Sequence, residues 1–183
     1  MATLRIRAAA AAWRIRPIRS DANFFGHIHD LVSQAYDEGA QLLVLPELFC
    51  LELLQLEPML DQSKSPAYLL QYAAAIEEWL VRIAQNSGLV IVGGSHFKKG
   101  AGEEIVNTCP IAFPDGTLIF QPKNNLTGYE REKWGLARTT QLQGLPAPLG
   151  TLVCYDSEFP EAARRLAEGG AQVLCVPSWT EER

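Results

Sequence analysis

What this chain lacks narrows it first. It has no run of about 18 nearly uncharged apolar residues, the length a helix needs to cross a bilayer. Charges interrupt the segment after Met1, so no secretory core follows it. Positive charge is also short: 16 Lys and Arg stand against 21 Asp and Glu, a formal net charge of −5. A surface that grips nucleic-acid backbone needs the opposite balance. Cysteine is sparse and scattered, and Cys50, Cys109, Cys154 and Cys175 form neither close metal-ligand pairs nor the framework of a small disulfide-stapled domain. A reducing, cytoplasmic location fits that usage. Of the 3 histidines, His27 and His29 lie two apart in an expected helix and do not share a face, and His96 falls at an expected strand exit, so no zinc site is expected. Gly93-Gly94 falls short of a nucleotide-binding fingerprint. These absences argue for a chain without metal or cofactor, and with neither nucleic acid nor membrane as partner.

What is present is an apolar fraction of 48% over 183 residues, enough for one sizeable core. The pattern repeats strand, helix and strand, the signature of an α/β fold. Residues 4–12 read as an opening strand, although their alanines also favour helix. This segment lies among Arg5, Arg7, Arg14, Arg16 and Arg19, with no acid before Asp21, a composition that an organellar targeting peptide would share; the strand reading is preferred. Residues 23–38 place Phe24, Ile28, Leu31, Val32 and Ala35 at helical spacing, with Gly39 as the stop. Residues 42–45 are a buried strand. Residues 66–85 carry Leu69, Leu70, Ala73, Ile76, Leu80 and Ile83 on one helical face behind Pro66. Residues 89–93 read as a strand, and 107–113 with 118–120 as a hairpin closed by Pro114-Asp115-Gly116-Thr117.

Three apolar runs end in chemistry. Leu152-Val153 leads into Cys154 ahead of acidic residues and a helix-like stretch, Leu45-Pro46 leads into Glu47, and Gln121-Pro122 leads into Lys123. In an open α/β sheet the ends of separate strands converge on one crevice. A thiol at a strand-to-helix junction is open to substrate while its backbone is held. Glu47 could take the thiol proton as general base and return it as general acid, while Lys123 would stabilise the thiolate and then an oxyanion. Taken singly, each has a plain structural reading: a free cysteine is commonly a small buried hydrophobe, a glutamate after Leu-Pro can cap a helix, and a lysine before two asparagines is usually solvated. Their common placement favours the joint reading. Residues 124–143 mix polar reach with aromatic area through Thr127, Tyr129, Glu130, Arg131, Glu132 and Trp134, as a loop over such a crevice would, with Trp134 serving either the pocket or the core. Phe49 and Trp179 are expected on the same pocket wall. Arg164 and Arg165 read as solvent or interface residues.

The segments Gly39-Ala40-Gln41-Leu42-Leu43-Val44-Leu45-Pro46-Glu47, Pro122-Lys123-Asn124-Asn125-Leu126-Thr127 and Cys154-Tyr155-Asp156-Ser157-Glu158-Phe159-Pro160-Glu161 resemble, in this order, the catalytic segments of the nitrilase or carbon–nitrogen hydrolase superfamily. The resemblance runs from about Leu4 to Glu182. It implies an α-β-β-α sandwich, here incomplete, with residues 1–183 as one partial domain whose family counterpart continues through a further helix and strands. It implies Glu47, Lys123 and Cys154 as a catalytic set that hydrolyses a non-peptide carbon–nitrogen bond in a small amide through a cysteine thioester, releasing ammonia or an amine. No cofactor is implied. It also implies a further glutamate that orients the lysine or helps position substrate, Glu130 as first choice and Glu132 as second. Tyr129, Tyr155, Phe49 and Trp179 complete the expected substrate wall, and full-length relatives are expected as homodimers. Nitrile and carbamoyl substrates stay open. The alternatives are a catalytically inactive chain with a structural or interaction role, and transfer to an amine or alcohol in place of water.

Overall fold

The structure, a computed structural model, describes residues 5–179. Its elements in chain order are β1 (Ala8–Ala10), α1 (Asp21–Asp37), β2 (Leu42–Leu45), α2 (Ser65–Leu69), α3 (Ala73–Ser87), β3 (Val90–Gly93), β4 (His96–Lys99), β5 (Ile105–Ala112), β6 (Leu118–Pro122), α4 (Gly128–Glu132), β7 (Leu149–Thr151), α5 (Pro160–Glu168) and β8 (Val173–Cys175), with a long 3₁₀ segment at Phe49–Leu56. No helix among the described residues is long and apolar enough to cross a membrane.

β1, β2 and β3 pair in parallel. β3 and β4 then run antiparallel to successive parts of one edge of β5, and β6 pairs antiparallel with its other edge, giving a six-stranded mixed sheet. Successive side chains of a strand point to opposite faces, and β2 uses both. Leu43 and Leu45 join Phe24, Ile28, Val32, Ile76, Leu80 and Ala84 in the core beneath α1 and α3. Leu42 and Val44 face the other way, where Val92, Cys109 and Ile111 meet Leu149, Val153 and Cys175. Those last residues belong to a second, parallel pair of strands, β7 and β8, or follow it. Leu166 of α5 approaches Gly150 on β7. The layers are therefore helix, sheet, sheet, helix, with a second sheet of two strands among the described residues.

Several expected elements differ in extent. The opening strand is confined to Ala8–Ala10, and Leu4 lies outside the described residues, as does Glu182. The helix expected over residues 66–85 is broken: Leu70–Tyr72 forms a 3₁₀ turn between α2 and α3. Spacing over so short a stretch does not separate a three-residue turn from one of 3.6. β4 begins at His96, where a strand exit was expected, because Gly94 and Ser95 interrupt one long strand and let it resume against β5. Gly39 does stop α1, in the left-handed region at φ 68°, a conformation glycine adopts without a Cβ penalty.

Candidate active site

Glu47 sits two residues past the end of β2 and is 3% exposed. The turn that places it is braced from β3. Gly94, at φ 64°, lies so close to the Pro46 carbonyl that a Cβ there would come within 2.1 Å of the oxygen, and Ser95 Oγ accepts the Leu48 N–H at 3.1 Å. Leu48 is itself left-handed, at φ 52°, which swings Phe49 back into the core. Phe49 stacks on Phe24 and meets the edge of Trp13. It borders a small neighbouring cleft and does not line the main cavity, so the expected pocket role falls to Leu48 instead.

Lys123 directly follows β6, and its N–H continues the ladder by donating to the Asn107 carbonyl at 2.9 Å. The side chain is buried, and Nζ donates to Glu47 Oε1 and Glu130 Oε2, each at 2.7 Å. Burial opposes the ammonium charge, but the two carboxylates outweigh it and hold the Lys123 pKa above the ordinary lysine value. Glu130 is committed to this task. Its Oε2 also accepts from Thr127 N–H and Oγ1 in a capping box that starts α4, and its Oε1 accepts from Asn107 Nδ2 at 3.0 Å. Glu132, the second choice, is exposed.

Cys154 follows the second sheet. Its N–H donates to the Pro177 carbonyl at 2.8 Å, and its φ of 46° is a strained conformation for a residue with a Cβ. Three cysteines are buried, and burial pushes the thiols of Cys50 and Cys175 up to about 12 and about 11. Cys154 is half-buried and opens onto the cavity. Its pKa too is raised, first by burial and then by the charge and acceptor oxygen of Glu47, against a smaller lowering pull from Lys123. Cys154 thus faces the cavity with the Glu47 carboxylate beside its sulfur.

Glu47, Lys123, Glu130 and Cys154 border one cavity of about 470 Å³, which Thr127, Tyr129, Trp134 and Trp179 border as well. Trp134 serves both of its expected roles, since its ring also packs edge-on to Phe97 in the core. Tyr155 does not line the cavity; it packs against Phe159. Arg131 is exposed and donates to the Leu126 carbonyl.

Two residues that sequence reasoning passed over hold the site together. Asn107, fully buried in β5, donates from Nδ2 to both Glu47 Oε1 and Glu130 Oε1. A lone amide inside the run Ile105-Val106-Asn107-Thr108-Cys109 was the available signal. Asp156, 1% exposed, accepts from the Asn124 and Asn125 N–H groups and from Asn125 Nδ2, tying the cysteine turn to the lysine turn.

A second buried acid–base pair lies outside the cavity. His27 Nδ1 faces both carboxylate oxygens of Glu52 at 3.2 Å, and Trp13 stacks on the imidazole with centroids 3.9 Å apart.

Comparison with known proteins adds to this geometry. The sequence model of the carbon-nitrogen hydrolase family matches residues 7–183. The probable hydrolase YhcX of Bacillus subtilis (strain 168) is 30% identical over 97% of this chain and 35% of its own length. The omega-amidase NIT2-B of Xenopus laevis is 27% identical over 94% of this chain and 63% of its own. Among solved structures, the NitN amidase from Neterenkonia sp. AN1 superposes with a TM-score of 0.77 at 29% identity, covering 95% of this chain and 67% of that one. A glutamate-to-glutamine variant of the AN1 amidase carries acrylamide joined by Michael addition to its active-site cysteine. The chain thus spans about a third of one curated relative and under two thirds of the other.

Proposed function

Because the chain belongs to the carbon–nitrogen hydrolase family, we propose that its cavity hydrolyses a small amide through a thioester on Cys154. The observation that carries this reading is the meeting of one strand-end thiol with a lysine clamped between two carboxylates on a single cavity. Glu47 Oε1 accepts from both Lys123 and Asn107, and the Glu47 carboxylate also lies beside the Cys154 thiol. That carboxylate takes the thiol proton as sulfur attacks the carbonyl carbon. The carbonyl electrons move onto oxygen, where the Lys123 ammonium and the Tyr155 N–H offset the charge. Glu47 returns the proton to the leaving nitrogen as the carbon–nitrogen bond breaks, and ammonia or an amine departs. Glu47 then draws a proton from water, which attacks the thioester and frees the acid and the thiol. Glu130 fixes Lys123 and keeps its charge aimed at this centre.

Intact-mass measurement of the 183-residue chain incubated with primary amides, alongside an ammonia assay and a Cys154→Ala control, tests the proposal. An acyl adduct confined to Cys154 with ammonia release is the expected result. A folded, soluble chain with neither adduct nor ammonia would favour the inactive, structural alternative.

A further inference from the structure

Two distant stretches of chain border the cavity and are joined at one residue. In the first, Leu54 precedes residues 57–64, Gln62 lies within them and Ser65 follows, and all three border the cavity. In the second, Thr127, Tyr129, Glu130 and Trp134 border it around α4. Gln62 bonds to the second stretch twice: its side-chain Oε1 accepts from Tyr129 Oη at 3.3 Å, and its carbonyl accepts from Trp134 Nε1 at 3.1 Å. These contacts span 67 and 72 residues of sequence.

The two stretches are anchored unequally. The second is held by Glu130 on the Lys123 ammonium and by Trp134 packed edge-on to Phe97. The first is buried at its flanks, through Leu53 on one side and Ser65 and Pro66 on the other. Between them residues 57–64 are exposed except for the half-buried Leu60, and Met59 is 89% exposed. The other hydrogen bonds of this stretch are local: Leu60 N–H donates to the Glu57 carbonyl, Ser63 N–H and Oγ donate to Asp61 Oδ1, and Lys64 N–H donates to the Asp61 carbonyl. A segment with few buried side chains and mostly local hydrogen bonds opens at far smaller cost than the core does. Two hydrogen bonds at an exposed position make a weak clasp, because water competes for both partners.

We propose that residues 57–64 form a strap along the cavity rim, that Gln62 clasps this strap to the Tyr129–Trp134 stretch, and that release of the clasp admits to Cys154 ligands too bulky for the closed cavity. The strap governs access and goes beyond the hydrolytic reading of the site; it stands whether or not the chain turns an amide over.

Labelling of Cys154 by a small and a bulky reagent, iodoacetamide and fluorescein maleimide, tests it, each rate being read by peptide mass. With iodoacetamide the sulfur–carbon bond forms as iodide leaves; maleimide takes the sulfur on one carbon of its double bond and a proton on the other. Both reagents draw on the same thiolate, so the ratio of bulky to small labelling cancels changes in thiol reactivity and reports access. Tyr129→Phe and Trp134→Phe each remove one bond of the clasp and keep an aromatic ring, and each should raise the ratio by roughly two- to tenfold. Gln62→Ala should match Tyr129→Phe. Gln62→Glu keeps an acceptor for Tyr129 Oη and strengthens it with charge, so the ratio should stay at or below that of the unaltered chain. Near-ultraviolet circular dichroism checks that each variant is folded, and Tyr129→Phe, the loss of one oxygen, decides the matter if Trp134→Phe does not fold. An unchanged ratio in Tyr129→Phe and Gln62→Ala overturns the strap, as does a rise in Gln62→Glu equal to that in Gln62→Ala. Ammonia release from primary amides is followed separately: its absence beside a shifted ratio would count against hydrolysis by this chain and leave the strap standing.

Discussion

Two buried acid–base clusters among the described residues differ in what surrounds them. Hydrogen bonds among Glu47, Lys123, Glu130 and Asn107 span up to 76 residues, next to a cavity and a thiol. His27 and Glu52 are comparably buried and join α1 to the 3₁₀ segment, but Trp13 covers the imidazole. Arg16 N–H completes that cluster by donating to Glu52 Oε2 at 3.2 Å. Burial of titratable groups is common to both. Access and a nucleophile belong to the first alone, so a buried ion pair marks chemistry where an open volume and a reactive group adjoin it.

Four changes would break or sharpen the contrast. The largest effect is expected on turnover: Cys154→Ala should abolish amide hydrolysis, and Glu47→Gln should lower kcat/KM by about 10² to 10⁴, while the two variants keep the native near-ultraviolet circular dichroism. Next comes Lys123→Met, which leaves two buried carboxylates facing each other without their cation. Denaturant unfolding should report a loss of about 3–5 kcal/mol, and a loss below 1 kcal/mol would mean that water already screens the pair. Glu52→Gln is the control from the sealed cluster. Weakening its contact with His27 should cost about 1–3 kcal/mol in the same unfolding experiment, yet leave the iodoacetamide labelling rate of Cys154 unchanged; slower or faster labelling would show that the two clusters are coupled through the 3₁₀ segment. The smallest effect is a displaced pH profile. The thiolate is the reactive form, so labelling of Cys154 should rise with pH through a midpoint above the ordinary value of about 8.5. Removing the Glu47 charge in Glu47→Gln should move that midpoint down, and an upward move would contradict the role of Glu47 in raising it.

The helical side was legible because its periodicity is physical: Phe24, Ile28, Val32 and Ala35 recur at the spacing of one face and do lie in the core. The strand-end positions of Glu47, Lys123 and Cys154 were legible because a buried strand must end before its polar residue, and Pro46 and Pro122 mark two of those ends. Phe49 was misplaced on the pocket wall because a left-handed Leu48 reverses the chain, and nothing in Leu48's identity announces a positive φ. Asn107 and Asp156 escaped notice for a related reason. Their partners are other segments, Glu47 and Glu130 for one and the Asn124-Asn125 turn for the other, and a hydrogen bond across folded segments leaves no periodic trace.

Order along the chain was therefore enough to specify local periodicity, an α/β alternation and the residue types able to do acid, base and nucleophilic work, because those depend on side-chain spacing and intrinsic reactivity. Which groups meet the Glu47 carboxylate, which glutamate clamps Lys123 and which aromatic ring faces the cavity depended on contacts between strand ends brought together by the sheets. Those contacts are set by packing and by the satisfaction of buried polar groups, properties of the assembled core that no single segment carries.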